Sequence, residues 1–182
     1  MQRRFEALLA GEPYTKRYTF VPLRGMSEQL VHAVVASEDA RFFEHQGIDW
    51  VEVETVVDDA WRQGHLSRGG STITQQLVKN LFLTTYRSVL RKTLEFTLAP
   101  LAERVLSKKR ILELYLNVVE WGPGVYGAEA AAEFHYGVSA NHLSREQAAR
   151  LTACLPAPQE RLPDEMDGRS ARILERMRSM GW

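Results

Sequence analysis

Apolar positions recur at helical spacing along most of the chain. Leu30, Val31, Val34, Val35 and Phe42 form one stripe, and Leu77, Leu81, Leu90, Leu94, Leu98 and Leu101 form another. Arg110 to Leu116 reads as a buried helix, and Ala128 to Phe134 as a helix of small residues. Ser144, followed three residues later by Gln147, has the form of a capping box at a helix start, and Pro156 and Pro158 end that helix. Strand signals are weak, with Tyr18 to Val21 the best candidate. Breaks fall at Gly47, between Gly64 and Gly70, at Gly122-Pro123-Gly124, and from Pro156 to Gly168. The stretch from Gly47 to Arg68 lacks strong periodicity. Without repeats or low-complexity runs, the pattern predicts a mainly α protein, a single domain over residues 1–182 with little or no strand.

Composition narrows the class. The 182 residues are 45% hydrophobic and 25% charged, as in a folded globular chain. A formal net charge of +0 gives no bulk attraction to nucleic acid. The charge is unevenly placed, however. Between Lys79 and Arg110, eight basic residues stand against only Glu95 and Glu103, a local field suited to phosphate or pyrophosphate, although a solvated helix face would also produce it. Cys154 is the only cysteine, which excludes an internal disulfide and a thiolate metal cluster. No apolar run approaches the ~20 residues needed to span a bilayer, and Met1-Gln2-Arg3-Arg4 is not followed by a signal-peptide core. Work at a membrane would require peripheral attachment or an anchor absent from this chain.

Three segments carry candidate chemistry. In the first, Glu38-Asp39-Ala40-Arg41-Phe42-Phe43-Glu44-His45, spacings of four and seven would put Glu38, Phe42 and His45 on one side of one helix. A carboxylate beside a ring and an imidazole suits a general base; a surface glutamate with His45 as a cap is the competing reading. In the second, Gly69-Gly70-Ser71-Thr72-Ile73-Thr74-Gln75-Gln76-Leu77-Val78-Lys79-Asn80, Thr72 and Gln75 have capping-box form. The helix start offers N–H groups to an anion, and Gln76, Lys79 and Asn80 fall within about one turn of each other. No Gly-Lys-Ser/Thr follows the glycines, so a Walker loop is excluded. In the third, Arg91 and Glu95 are four apart, either as a surface ion pair or as a carboxylate kept ionised by Arg91 and Lys92 beside a bound anion.

Other conspicuous residues have mild readings. Trp50, Trp61 and Trp121 read as core or rim aromatics. His32, His65, His135 and His142 have no metal-ligand spacing. Tyr115 and Asn117 lie in the expected buried helix, where a structural hydrogen bond is the favoured role.

Taken in order, these segments resemble the peptidoglycan glycosyltransferases, glycosyltransferase family 51. The family's Glu-Asp-x-x-Phe-x-x-His-x-Gly is present as Glu38 to Gly47, and Gly-x-Ser-Thr-Ile-Thr-Gln-Gln-x-x-Lys-Asn is complete at Gly69 to Asn80. Arg-Lys-x-x-Glu is Arg91 to Glu95. A fourth motif matches at Ile111-Leu112-Glu113-Leu114-Tyr115-Leu116-Asn117, with Lys108 or Lys109 ahead of it. A fifth matches Leu143 to Leu151 with Gln147 in place of an alanine. One departure is His135-Tyr136-Gly137-Val138, where relatives carry Tyr-Phe-Gly-Lys. The motifs span about residues 30–160, and a chain ending at Trp182 resembles the monofunctional biosynthetic type.

The resemblance implies a lysozyme-like domain that polymerises lipid II into β-1,4-linked glycan with inversion, releasing undecaprenyl pyrophosphate, for cell wall biogenesis and cell shape. It implies Glu38 and Glu95 as catalytic. Asp39, Phe42, His45, Ser71, Thr72, Gln75, Gln76, Lys79, Asn80, Arg87, Arg91 and Lys92 would bind substrate or shape the pocket. No organic cofactor is implied, and a divalent cation, Mg²⁺ or Mn²⁺, would sit at Glu95. The expected partners are lipid II, lipid-linked glycan, the membrane surface and other cell-wall synthesis proteins, with no nucleic acid. The expected place is the periplasmic or outer face of the bacterial cytoplasmic membrane, and moenomycin would inhibit. Two rivals remain: a lysozyme-like hydrolase of the same glycan, disfavoured by the pyrophosphate-binding cluster, and a non-catalytic wall-binding module on the same fold.

Overall fold

Local capping chemistry sets many of the helix boundaries in the computed structural model, which describes residues 15–65, 70–83 and 89–182. Among them are eight α-helices: α1 (Glu28–Glu38), α2 (Trp50–Gln63), α3 (Ile73–Phe82), α4 (Val89–Val105), α5 (Lys108–Val118), α6 (Ala128–Tyr136), α7 (Arg145–Cys154) and α8 (Asp167–Ser179). Three short strands, β1 (Arg17–Tyr18), β2 (Glu120–Gly122) and β3 (Val125–Tyr126), form a sheet in the order β1-β3-β2. β1 runs parallel to β3 and β2 antiparallel. The fold is mainly α, as expected, and the expected strand at Tyr18–Val21 survives only at its first residue.

Contacts divide the chain into two compact units, one of Met1–Ser37 with Leu116–Trp182 and one of Glu38–Tyr115. In the first, alanines let helices approach closely. Ala33 of α1, Ala128, Ala131 and Ala132 of α6, and Ala148 and Ala149 of α7 are buried with Leu30, Trp121, Leu151, Ile173 and Met177. Asn117 pins the N-terminal segment twice: it accepts from Val21 N–H at 3.0 Å and donates to the Val21 carbonyl at 2.9 Å. Ser144 and Gln147 form the capping box that the spacing predicts.

In the second unit α3 packs on α4. Thr74 Oγ1 and Lys108 Nζ both donate to the same Glu103 oxygen at 2.7 Å, and the Lys108 ammonium lies 4.4 Å from the Phe42 ring centroid. The Thr72–Gln75 capping box is also present, and it starts α3.

Four expectations change. Residues 50–63 are helical, with Trp50, Val53, Val57 and Trp61 at helical spacing on one face. Asp49 caps α2 by accepting from Val51 and Glu52 N–H, yet only Val56 is buried, so the apolar residues do not mark an inward stripe. Trp61 is 89% exposed and Trp50 is exposed too, so of the three tryptophans only Trp121 is core. The leucine stripe from Leu77 to Leu101 belongs to two helices. On α4 its Leu94 and Leu101 face outward while Glu95 and Ala99 are buried; the side chain of Leu90 lies outside the described residues. α8 was not announced by hydropathy because only Ser170, Ile173 and Met177 face inward.

The fourth change concerns Glu38, Phe42 and His45, which do not share a helix. α1 ends at Glu38, and the next residues form turns, with Phe42 N–H donating to the Asp39 carbonyl at 2.9 Å. The turn ends at Gly47, whose φ is +90° and where an added Cβ would lie 2.7 Å from the Ala99 carbonyl carbon of α4. Its own carbonyl accepts from Thr72 Oγ1 at 2.7 Å. Gly47→Ala should therefore cost more than roughly 2 kcal/mol, read as a lowered melting temperature. An unchanged melting temperature would show that this close approach is not needed.

Candidate active site

Every expected site residue that the structure describes falls in the Glu38–Tyr115 unit. The site is built on a joint between the end of α1 and the start of α3. Asp39, buried just past α1, accepts from the Ile73 N–H at 2.9 Å, one of the backbone donors that a helix start leaves without an intrahelical partner. Its carboxylate also lies 2.9 and 3.1 Å from His45 Nε2. His45 Nδ1 accepts from Gly47 N–H at 3.2 Å, so the neutral Nε2–H tautomer satisfies both ring nitrogens. One turn into α3, Gln76 Nε2 donates to Glu38 Oε2 at 3.0 Å, and Gln76 Oε1 accepts from the Tyr115 hydroxyl of α5 at 3.0 Å.

The cationic part comes from α3 and α4. Lys92 Nζ donates to Glu95 Oε2 at 3.0 Å and to Ser71 Oγ at 2.9 Å, while Arg91 Nη1 lies 3.5 Å from Glu95 Oε1. Glu95 is only 3% exposed, so its charge is held by this pair rather than by water. Lys79 differs: among the described residues no hydrogen bond or ion pair engages its ammonium. Burial holds that ammonium below its ordinary value, Arg91 and Lys92 push the same way, and Glu95 and Glu38 oppose them. A desolvated cation within electrostatic reach of both glutamates is suited to receiving an anion.

The remaining expected residues take distinct places. Thr72 and Gln75 are buried and serve the α3 cap; Phe42 is buried under Lys108; Asn80 is exposed. Arg87 lies outside the described residues. Gln76, expected to position substrate, instead bonds Glu38. Tyr115 joins the site unexpectedly, since nothing in its local sequence points 39 residues back to Gln76. A cavity of about 280 Å³ lies beside His45, lined in part by Arg41, Asp49 and Trp50. Lys79 and Glu38 do not line it, so it is not the anion-binding part of the site.

The donor sets do not fit a divalent cation. At Glu95 a metal would sit against both the Lys92 ammonium and the Arg91 guanidinium. Asp39, His45 and Asp49 place ligand-type atoms within 4.8 Å of one another. Asp39 and His45, however, are engaged by each other and by the N–H groups of Ile73 and Gly47, and Asp49 Oδ1 accepts from Val51 and Glu52 N–H.

A base-like carboxylate facing a desolvated lysine is chemistry for displacing an anionic leaving group. The Transglycosylase family model matches residues 6–178. The chain belongs to the transglycosylase family. It is similar to the biosynthetic peptidoglycan transglycosylase of Rhodopseudomonas palustris (strain HaA2), 53% identical over 154 residues, which are 84% of this chain and 67% of that protein. It is likewise similar to the biosynthetic peptidoglycan transglycosylase of Bordetella avium (strain 197N), 49% identical over 173 residues, 88% of this chain and 70% of that one. The counterpart in Nitrosospira multiformis is 48% identical over 161 residues, covering 87% and 69%.

In this transglycosylase, Lys79 gives a pH test. Its depressed value means that the ammonium loses its proton below the ordinary 10.5 as pH rises, and anion binding is lost with it. The kcat/KM profile should fall on the alkaline side below that pH. Lys79→Arg, whose guanidinium stays charged, should remove that limb. A limb unmoved by Lys79→Arg would assign it to another group.

Proposed function

We propose that this transglycosylase polymerises lipid II into peptidoglycan glycan strands for cell wall biogenesis, with Glu38 as the general base. The observation that carries the proposal is the asymmetry of the two glutamates. Glu38 accepts an amide hydrogen bond from Gln76, whereas Glu95 is buried between Lys92 and Arg91 and within electrostatic reach of Lys79. The names of the relatives, all biosynthetic peptidoglycan transglycosylases, support the same substrate class.

The acceptor 4-hydroxyl oxygen attacks the donor's anomeric carbon, and its proton passes to the Glu38 carboxylate. The bond from that carbon to undecaprenyl pyrophosphate breaks with its electron pair, so the departing oxygen gains negative charge. Lys79 and Arg91 meet that charge, Glu95 holds Arg91 and Lys92 in place, and Ser71 orients the Lys92 ammonium. Attack from the face opposite the leaving group turns the α-linked donor into a β-1,4 bond. No step passes through a metal.

The lipid tail of such a substrate places the reaction at the outer face of the bacterial cytoplasmic membrane. Trp50, Val51, Val57 and Trp61 of α2, Phe82 of α3, and Leu94, Leu101 and Val105 of α4 are exposed and supply an apolar surface for it. Glu52, Glu54, Asp58 and Asp59 limit that contact to the periphery. Among the described residues no helix is long and apolar enough to cross a membrane. Moenomycin, as a phosphoglycolipid, would compete for the cationic part of the site.

Glu38→Gln keeps the shape of the side chain and removes the base. It should lower glycan polymerisation from lipid II by roughly a hundredfold or more while lipid II binding is retained. Elongation at the wild-type rate would remove Glu38 from the role.

A further inference from the structure

We propose that Tyr115 is a positioning residue that holds Glu38 in its base form by acting through Gln76. The inference rests on the assignment of Glu38 as base and deepens it. It follows from donor and acceptor logic along one chain of side chains. An ionised carboxylate only accepts hydrogen bonds, so the Gln76 group 3.0 Å from Glu38 Oε2 is its NH₂. That fixes the amide and turns its carbonyl oxygen to the Tyr115 hydroxyl, also at 3.0 Å, which must then donate.

Tyr115 is built to donate at every working pH. It is 0% exposed, and burial, together with the charges of Glu38 and Asp39, raises its phenol well above the ordinary value. The hydroxyl therefore stays protonated. A protonated Glu38 meets this arrangement less well: its neutral carboxyl is a weaker acceptor for the Gln76 NH₂, and a proton on Oε2 would force the amide to flip and leave the buried phenol without its acceptor. A buried group left unsatisfied costs more than an ordinary hydrogen bond gains. The relay thus favours the ionised carboxylate and fixes the direction in which it is held.

The same part of the fold anchors the relay at each member. Tyr115 lies in α5 beside the buried Ile111, Leu112 and Leu116. Gln76 lies on α3, whose start is fixed by the Thr72–Gln75 box and by Asp39. Among the described residues, the charged and titratable groups around Glu38 include Asp39, which is bonded to His45, then Lys79 of α3 and Tyr115 itself. Lys79 also favours an ionised Glu38, but from the anion-binding part of the site. Its effect is therefore separable from that of the relay.

The test is a double-mutant cycle on polymerisation from lipid II, using Tyr115→Phe, Gln76→Leu, the double variant and Glu38→Gln. Tyr115→Phe keeps the ring and its packing and removes only the donor. It should lower kcat by roughly threefold to tenfold with KM for lipid II unchanged, and move the acidic limb of the profile to higher pH. In the Gln76→Leu background the same change should have no further effect on kcat or the limb, because the relay is already cut. Additive losses, or a kcat loss with the limb unmoved, would reduce Tyr115 to a structural role and overturn the relay. Wild-type elongation by Glu38→Gln would instead overturn the base assignment beneath it. Melting temperatures show whether each variant folds; if Tyr115→Phe does not, an acidic limb unmoved in Gln76→Leu alone also overturns the relay.

Discussion

The carboxylate of Asp39 holds the site together. It is buried, and it meets two demands at once: it satisfies the Ile73 N–H at the start of α3 and orients His45 in the turn that follows α1. That pair of hydrogen bonds fixes Asp39 against the start of α3. Glu38 is the residue before it, so its position against Gln76 follows from the same joint. Gly47 closes the turn at a positive φ against the backbone of α4, and its carbonyl receives the Thr72 hydroxyl that also caps α3. A single local arrangement thus places a base, caps a helix and brings α4 near.

α4 then supplies the second half. Its buried face carries Glu95 and Ala99 rather than leucines, and Arg91 and Lys92 close on Glu95. Without these cations the buried Glu95 carboxylate would be stranded, so the three groups are kept together. In the proposed mechanism Lys79 meets the leaving group. In that mechanism the two glutamates have different work: one exchanges a proton, and the other keeps cations in place.

How much of this could be read from the chain follows from the range of each interaction. The boxes at Thr72–Gln75 and Ser144–Gln147 are contacts within four residues, so spacing alone reveals them. The ion pairs of Glu95 with Arg91 and Lys92 are local too. Along α2 Trp50, Val53, Val57 and Trp61 recur at helical spacing, but Trp50, Val57 and Trp61 face outward, which defeats a reading that assumes apolar means buried. On α4 the leucines announced a helix but pointed to the wrong buried face. The continued helix through Phe42 and His45 was misread because Asp39 spends its carboxylate on another helix, 34 residues away. Tyr115 reads as a structural hydrogen-bonding tyrosine of a buried helix, and it makes such a bond, but its partner Gln76 is too remote in sequence to be named.

The division of labour between the carboxylates is most directly tested by the configuration of the bond they make. Nuclear magnetic resonance of glycan made by the protein from α-linked lipid II reports the anomeric configuration of each new linkage. With Glu38 as base and Glu95 tied up by Lys92 and Arg91, attack is direct and the linkages should be β. Linkages that retain the α configuration would require a second displacement through a nucleophilic carboxylate, and would contradict the account.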